Sequence, residues 1–161
     1  MSGITSTFDT SPLLNDLYRM AEPSLVDDTA TWVGGYMVGE IRKHFDHSTL
    51  WDDSPMPPSK DGDKTLVKSQ ALQNSYGNYE VSGGTVTLGS DSPYASYHHD
   101  GTAPYVIQPK SKLALHFMAG GEMRFAKKIN HPGLVPRPVL GVNPRNEQMI
   151  IKYITTKLLG G

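Results

Sequence analysis

The sequence predicts an α+β domain: an antiparallel β-sheet of two hairpins, with a long N-terminal helix and a C-terminal helix packed on it. Three observations carry this. Apolar residues recur at helical spacing from Leu25 to Phe45; Gly83-Gly84 and Gly120-Gly121 each separate strand-like runs; and a second helical stripe follows Asn143-Pro144. The length of 161 residues suits a single domain over 1–161, with a core large enough to fold without staples.

Residues 1–10 are small and polar and read as a flexible arm. Ser11-Pro12 reads as an N-cap followed by proline at the first helical position. Leu13, Leu14, Leu17 and Met20 then keep helical spacing until Pro23 closes a short helix. The long helix follows at once. Ser24 and Asp27 form a capping-box-like pair, and the stripe Leu25, Thr29, Trp32-Val33, Tyr36-Met37, Ile41 and Phe45 runs to about His44. Within it Gly34, Gly35 and Gly39 each cost about 1 kcal/mol relative to alanine. They predict either a local bend or a backbone face that packs closely on another element.

Residues 46–64 form a long polar loop with Pro55, Pro57, Pro58 and Gly62, either disordered or built for binding. Trp51 lies in this loop and either tucks over the sheet or anchors a partner, whereas Trp32 falls on the helical stripe and reads as core. Lys64 to Gln73 reads as a short helix. Tyr79 and Val81, the turn Ser82-Gly83-Gly84, then Val86 and Leu88 make the first hairpin. Ser92-Pro93 starts a short helix or turn that carries Tyr94, Ala95 and Tyr97. Val106–Gln108 and Leu113–Phe117 read as strand pieces. Ala119-Gly120-Gly121 turns into a strand over Met123–Ile129, and Asn143-Pro144 caps a terminal helix with Met149-Ile150, Tyr153-Ile154 and Leu158 on one face.

Composition narrows the function classes. The chain has no cysteine, which excludes disulfides and thiolate metal sites and fits a reducing cytoplasm. Its formal charge of −1 gives no bulk argument for a nucleic-acid partner. The basic residues concentrate at Lys110, Lys112, Arg124, Lys127 and Lys128, interleaved with apolar ones. No run approaches the roughly 18–20 apolar residues of a membrane span, and the first residues lack the pattern of a signal peptide, so the reading is of a soluble intracellular product.

The residues that invite catalysis lie within 94–141, which holds four of the six histidines. His98-His99-Asp100, with His116 and His131, contains the imidazole and carboxylate groups that zinc prefers. Adjacent residues point to opposite faces of a regular strand, however, and no H-E-x-x-H spacing is present. The alternative is that these histidines are hydrogen-bonded loop or interface residues. There is no G-x-S-x-G elbow, and Asp27-Asp28 and Asp52-Asp53 are explained by a helix start and a polar loop.

An ordered set of short elements runs through residues 86–141: Val86, Leu88, Gly89 and Ser90; Tyr94-Ala95; His98 or His99 with Gly101-Thr102; Ile107, Pro109 and Lys110; the Leu113–Phe117 strand; the Gly-Gly turn and Phe125–Lys128; His131-Pro132-Gly133; and Arg137-Pro138 with Leu140-Gly141. In order and spacing this resembles the signature region of the phage virion morphogenesis and tail-completion (neck) proteins. The resemblance implies a structural virion protein, with no catalytic residues, no metal and no cofactor. It would act as a cyclic homo-oligomeric ring, such as a hexamer, that joins tail to head or caps the tail. Its partners would be other neck, connector and tail-tube proteins, with passive contact to DNA in the channel and none to a membrane. It would reside in the virion after assembly in the host cytoplasm. Interface candidates are Tyr94, Tyr97 and Tyr105, the loop residues His98, His99 and Trp51, and Lys127, Lys128 and Arg137, which would face the DNA channel or pair with acidic neighbours. The competing expectation is a small His-dependent metal hydrolase on the same α+β fold; a capsid-associated protein acting away from the neck is a third.

Overall fold

A computed structural model of the chain describes residues 4–9, 23–58, 66–67, 70–110 and 112–159. The short helix expected over residues 12–22 lies outside them. The architecture is α+β, as expected. Helix α1 (Pro23–His47) is its axis, running three residues past the expected end at His44. Its inner stripe is Val26, Ala30, Val33, Met37, Ile41 and Phe45, all buried, at steps of three and four residues. Trp32 sits at the rim of this core rather than inside it. It is half-buried and stacked between Tyr36 (centroids 5.3 Å apart) and Tyr153 (3.6 Å).

Strands β1 (Ile4–Phe8), β2 (Tyr79–Ser82) and β3 (Thr85–Ser90) form an antiparallel sheet in the order β1-β3-β2. The expected hairpin is β2–β3, with Gly83 and Gly84 both at positive φ (53° and 76°), the backbone a two-residue turn of this hand requires. Along β3 Val86, Leu88 and Ser90 point inward in strict alternation. This sheet packs on α1, and its closest approach answers the question left by the helix glycines. The Tyr79 ring lies so near Gly34 that a Cβ there would stand 2.2 Å from Tyr79 Cδ2.

Residues 4–8 correct the flexible-arm expectation. They pair with β3 from Ile4↔Ser90 to Phe8↔Val86. The segment Ile-Thr-Ser-Thr-Phe is rich in β-branched residues, and an edge strand needs only one partner to satisfy half its backbone groups. The helix expected over Lys64–Gln73 appears, among the described residues, as a single turn, α2 (Ala71–Asn74).

The second hairpin also forms, as β5 (Leu115–Ala119) and β6 (Glu122–Ala126) around Gly120-Gly121. It makes its own two-stranded sheet instead of extending the first. None of the β6 side chains is buried, so nothing apolar docks it onto α1. The strand expected over Met123–Ile129 is cut at Lys127-Lys128, after which β7 (Ile129–His131) changes partner and pairs with β4 (Tyr105–Ile107). Helix α3 (Ala95–Asp100) follows Ser92-Pro93. Helix α4 (Pro144–Leu159) is capped as its sequence predicts, Asn143 Oδ1 accepting from the Asn146 N–H at 2.8 Å. It lays Asn146, Ile150 and Ile154 inward and meets α1 through Tyr153 and Asn146. No helix among the described residues is long and apolar enough to cross a membrane.

Candidate assembly surface

Residues 94–141 are irregular chain for much of their length, so side chains and loop backbone must satisfy each other. Helix α3 is the hub. Its buried Ala95 faces the core, while Tyr94 and Tyr97 are 66% and 54% exposed. From its last turn the His98 carbonyl accepts the Arg137 N–H at 2.7 Å. Just beyond, Thr102 and Leu134 exchange backbone hydrogen bonds at 3.0 and 3.2 Å, and Thr102 Oγ1 accepts a further one from the Leu134 N–H at 2.9 Å. The two segments approach so closely that a Cβ on Gly133 (φ 88°) would meet the Thr102 carbonyl oxygen at 2.1 Å. Only glycine fits that backbone and that gap.

The expected site residues fall into two groups. Arg137 is an internal clasp. Its Nε donates to the Pro57 carbonyl at 3.0 Å, and its Nη2 to the Pro58 carbonyl, also at 3.0 Å. The planar fork spans two consecutive carbonyls and holds the proline segment against the 135–138 stretch. In this structure the guanidinium, expected to face a DNA channel or an acidic neighbour, is engaged by the chain's own backbone. Trp51 likewise turns inward. Its ring covers Gly141, where a Cβ would stand 2.5 Å from Trp51 Cδ2; the Trp51 backbone N–H donates to the Pro138 carbonyl and the Trp51 backbone carbonyl accepts from Asn143 Nδ2, both at 3.0 Å. Half-buried and so engaged, it joins loop to loop and does not stand out as a partner's anchor.

The histidines are dispersed. His98 is partly buried, and burial, with Arg137 beside it, pushes its imidazole below the usual histidine range; its buried Nδ1 has no hydrogen-bond partner among the described residues. His99 lies between Asp100 Oδ1 (3.0 Å from Nδ1) and the Leu140 carbonyl (3.3 Å from Nε2). His131 Nδ1 accepts from the Gly133 N–H, and its ring stacks on Tyr105 at 4.7 Å. His116 stacks on Phe125 on the far hairpin. Among the described residues no three His, Asp or Glu side chains converge as metal ligands would. The ligand set of the metal-hydrolase expectation is therefore not assembled.

The outward group comprises Tyr94, Tyr97, Tyr105 (46% exposed), Lys127 and Lys128. Phe125, Met118, Met123 and Val106 are exposed as well.

One polar cluster escaped the sequence reading. Glu40, 2% exposed, is held by Lys43 Nζ at 2.5 Å and Arg145 Nη2 at 2.6 Å, and Arg145 also reaches Asp53 at 3.3 Å. Asn143 Nδ2 donates to Asp53 Oδ2 at 3.0 Å, and Tyr36 O–H donates to Asn146 Oδ1 at 3.0 Å. Burial, then the neighbouring Glu40, pushes the Tyr36 phenol up. The signal available was a carboxylate between Met37 and Ile41 on the inner stripe, a position that demands a cationic partner. This network ties α1, the 50–53 loop and α4 together.

The site is thus of one kind: polar groups are consumed in locking loops to the scaffold, and aromatic, apolar and basic side chains are left outside. The sequence model of the phage virion morphogenesis family matches residues 51–159, two-thirds of the chain, and the protein belongs to that family. No curated protein and no solved structure matches it.

Proposed function

We propose that this protein is a structural component of the phage neck, a tail-completion protein that joins tail to head or caps the tail as a ring of identical copies. One observation carries the reading. The family match spans the stretch in which Arg137, Trp51 and Thr102 pin the loops while Tyr94, Tyr97 and Tyr105 stay exposed. A loop surface fixed in this way loses little conformational freedom on docking, which favours repeated identical contacts. The protein acts by assembly, without catalysis. It is added in the host cytoplasm and meets neck, connector or tail-tube proteins on its outer faces.

The test is genetic and structural. A nonsense mutation in this gene leaves filled heads and separate tails in the lysate, and labelled protein maps to the head–tail junction of complete particles. Joined, infectious particles from the mutant, or label on the capsid away from the junction, refute the reading. Replacing His98 or His99 singly by alanine leaves the fold intact and at most weakens assembly. A hydrolytic turnover in the pure protein that either change abolishes points instead to a reaction centre.

A further inference from the structure

Among the described residues nothing covers the apolar face of the β5–β6 hairpin. Its register pairs His116 with Phe125 and Met118 with Met123, which puts these four side chains on one side. Phe125 is 72% exposed, Met118 62% and Met123 53%. The flanks are basic. Between Gly101 and Pro136 stand Lys110, Lys112, Arg124, Lys127 and Lys128 against Glu122 alone, a formal +4, and since the chain as a whole is −1 the remainder is −5. The body offers the opposite chemistry at α3. From Asp91 to Asp100 there are two carboxylates and no lysine or arginine, with Tyr94 and Tyr97 exposed three residues apart, one helical step.

We infer that the β5–β6 hairpin of one copy docks on the Tyr94–Tyr97 platform of a second copy of this chain. Phe125, Met118 and Met123 lie on the tyrosine rings, where sulfur–aromatic and aromatic pairs are favourable. The lysines flank the contact toward Asp91 and Asp100. The inference rests on the ring reading above and names its contact. Arm and platform are different surfaces, so each copy gives one and receives one, the heterologous arrangement that a closed ring requires. The charge split argues for a second copy over DNA. Lysine and arginine alone would suffice for phosphates, whereas an aromatic–methionine centre with a charged rim is the composition of a protein–protein contact, and the net +4 of residues 101–136 is opposite in sign to the two carboxylates of residues 91–100.

The absence of cysteine makes the test clean. Full-length Met123→Cys and Tyr97→Cys proteins, mixed in equal amounts and mildly oxidised, give a mixed disulfide dimer. Its yield exceeds that of Met123→Cys mixed with Lys152→Cys, exposed on α4, by about tenfold. Adding Phe125→Asp to the Met123→Cys copy lowers the yield by about the same factor, and so does high salt in part. A yield no greater than the Lys152→Cys control overturns the inference. So does a yield that duplex DNA added before oxidation abolishes, in a manner lost with Lys127→Glu and Lys128→Glu. Light scattering separates the two levels. A defined oligomer without the trapped contact removes the arm–platform pairing and leaves the ring. A trapped contact in a protein absent from particles keeps the pairing and removes the neck reading.

Discussion

Two glycines in one helix should respond to the same substitution with opposite signs. Both Gly34 and Gly39 lie inside α1, where alanine is favoured over glycine by about 1 kcal/mol. At Gly39 nothing among the described residues stands within 4 Å of an added Cβ, so Gly39→Ala collects that gain. At Gly34 the Cβ would stand 2.2, 2.4 and 2.8 Å from Cδ2, Cε2 and Cγ of Tyr79, the first two more than 1 Å inside a normal carbon–carbon contact of about 3.5–4 Å. Because Cγ is among the clashing atoms, turning the ring about its own axis does not suffice, and the whole Tyr79 side chain or β2 with it must shift. Overpacking of this kind costs about 1–3 kcal/mol, and more than one ångström of overlap belongs at the upper end. After the helical gain is subtracted, Gly34→Ala is destabilising by about 1–2 kcal/mol. In a chain of this size that lowers Tm by about 2–8 °C, while Gly39→Ala raises it by about 2–4 °C. Urea titration followed by far-ultraviolet circular dichroism reads both. Tyr79→Ala is the control: in that background Gly34→Ala becomes favourable, giving an interaction energy of about 2–3 kcal/mol in the cycle. If Gly34→Ala stabilises the wild-type protein as much as Gly39→Ala does, the close packing of Tyr79 on α1 is not what the helix glycines are for.

Removing the Arg145 guanidinium leaves buried Glu40 with Lys43 alone. Arg145→Met costs about 1–3 kcal/mol, less than a fully buried pair because Arg145 is half exposed, and Glu40→Gln in the same chain returns part of the loss; equal stability of wild type and Arg145→Met in urea refutes the role given to the network. Arg137→Lys cannot span the Pro57 and Pro58 carbonyls together, so amide exchange at Leu50 and Met56 quickens and Tm falls much as it does for Arg137→Ala; full protection in the lysine variant rules out the fork. His44 and His98 are both pushed below the usual histidine range, His44 by burial and His98 by burial and then Arg137. The unfolded chain therefore takes up their protons first, near pH 6.5, so stability is flat above that value and falls as pH drops below it toward the lowered folded values. The urea midpoint at pH 5.5 should lie below that at pH 7.5, and His44→Gln with His98→Gln should flatten the difference; an unchanged slope in the double variant excludes these two groups as its source.

Legibility in the sequence followed the range of the interaction. Helix α1 was readable because Val33, Met37, Ile41 and Phe45 announce their own period within one window. So were the Gly-Gly hairpins and the Asn143 cap, whose partners lie a few residues away. Strand β1 carried a signal, Ile4 to Phe8 being β-branched or aromatic at four of five positions, but its threonines and serine made it resemble a polar arm. That hairpin β5–β6 would not join the first sheet was beyond local reading, since whether a strand extends a sheet depends on what its faces bury and not on its own propensity.

The site divided along the same line, and for a reason that residue type alone cannot supply. Trp51, Arg137, Tyr94 and Tyr97 are all side chains that interfaces favour. What turned Trp51 inward is Gly141, ninety residues away, whose missing Cβ leaves room for the indole; what turned Arg137 inward is a pair of proline-segment carbonyls about eighty residues earlier in the chain. Tyr94 and Tyr97 have no such receptacle, because the inward position of their helix is already taken by Ala95 against the core. An amphipathic side chain is spent internally where the fold provides a gap or an unpaired acceptor of its shape, and is free for a partner where it does not. By that criterion the surface free for the proposed contacts is the Tyr94–Tyr97 platform and the β5–β6 hairpin, while Trp51 and Arg137 tie their loops to the rest of the chain.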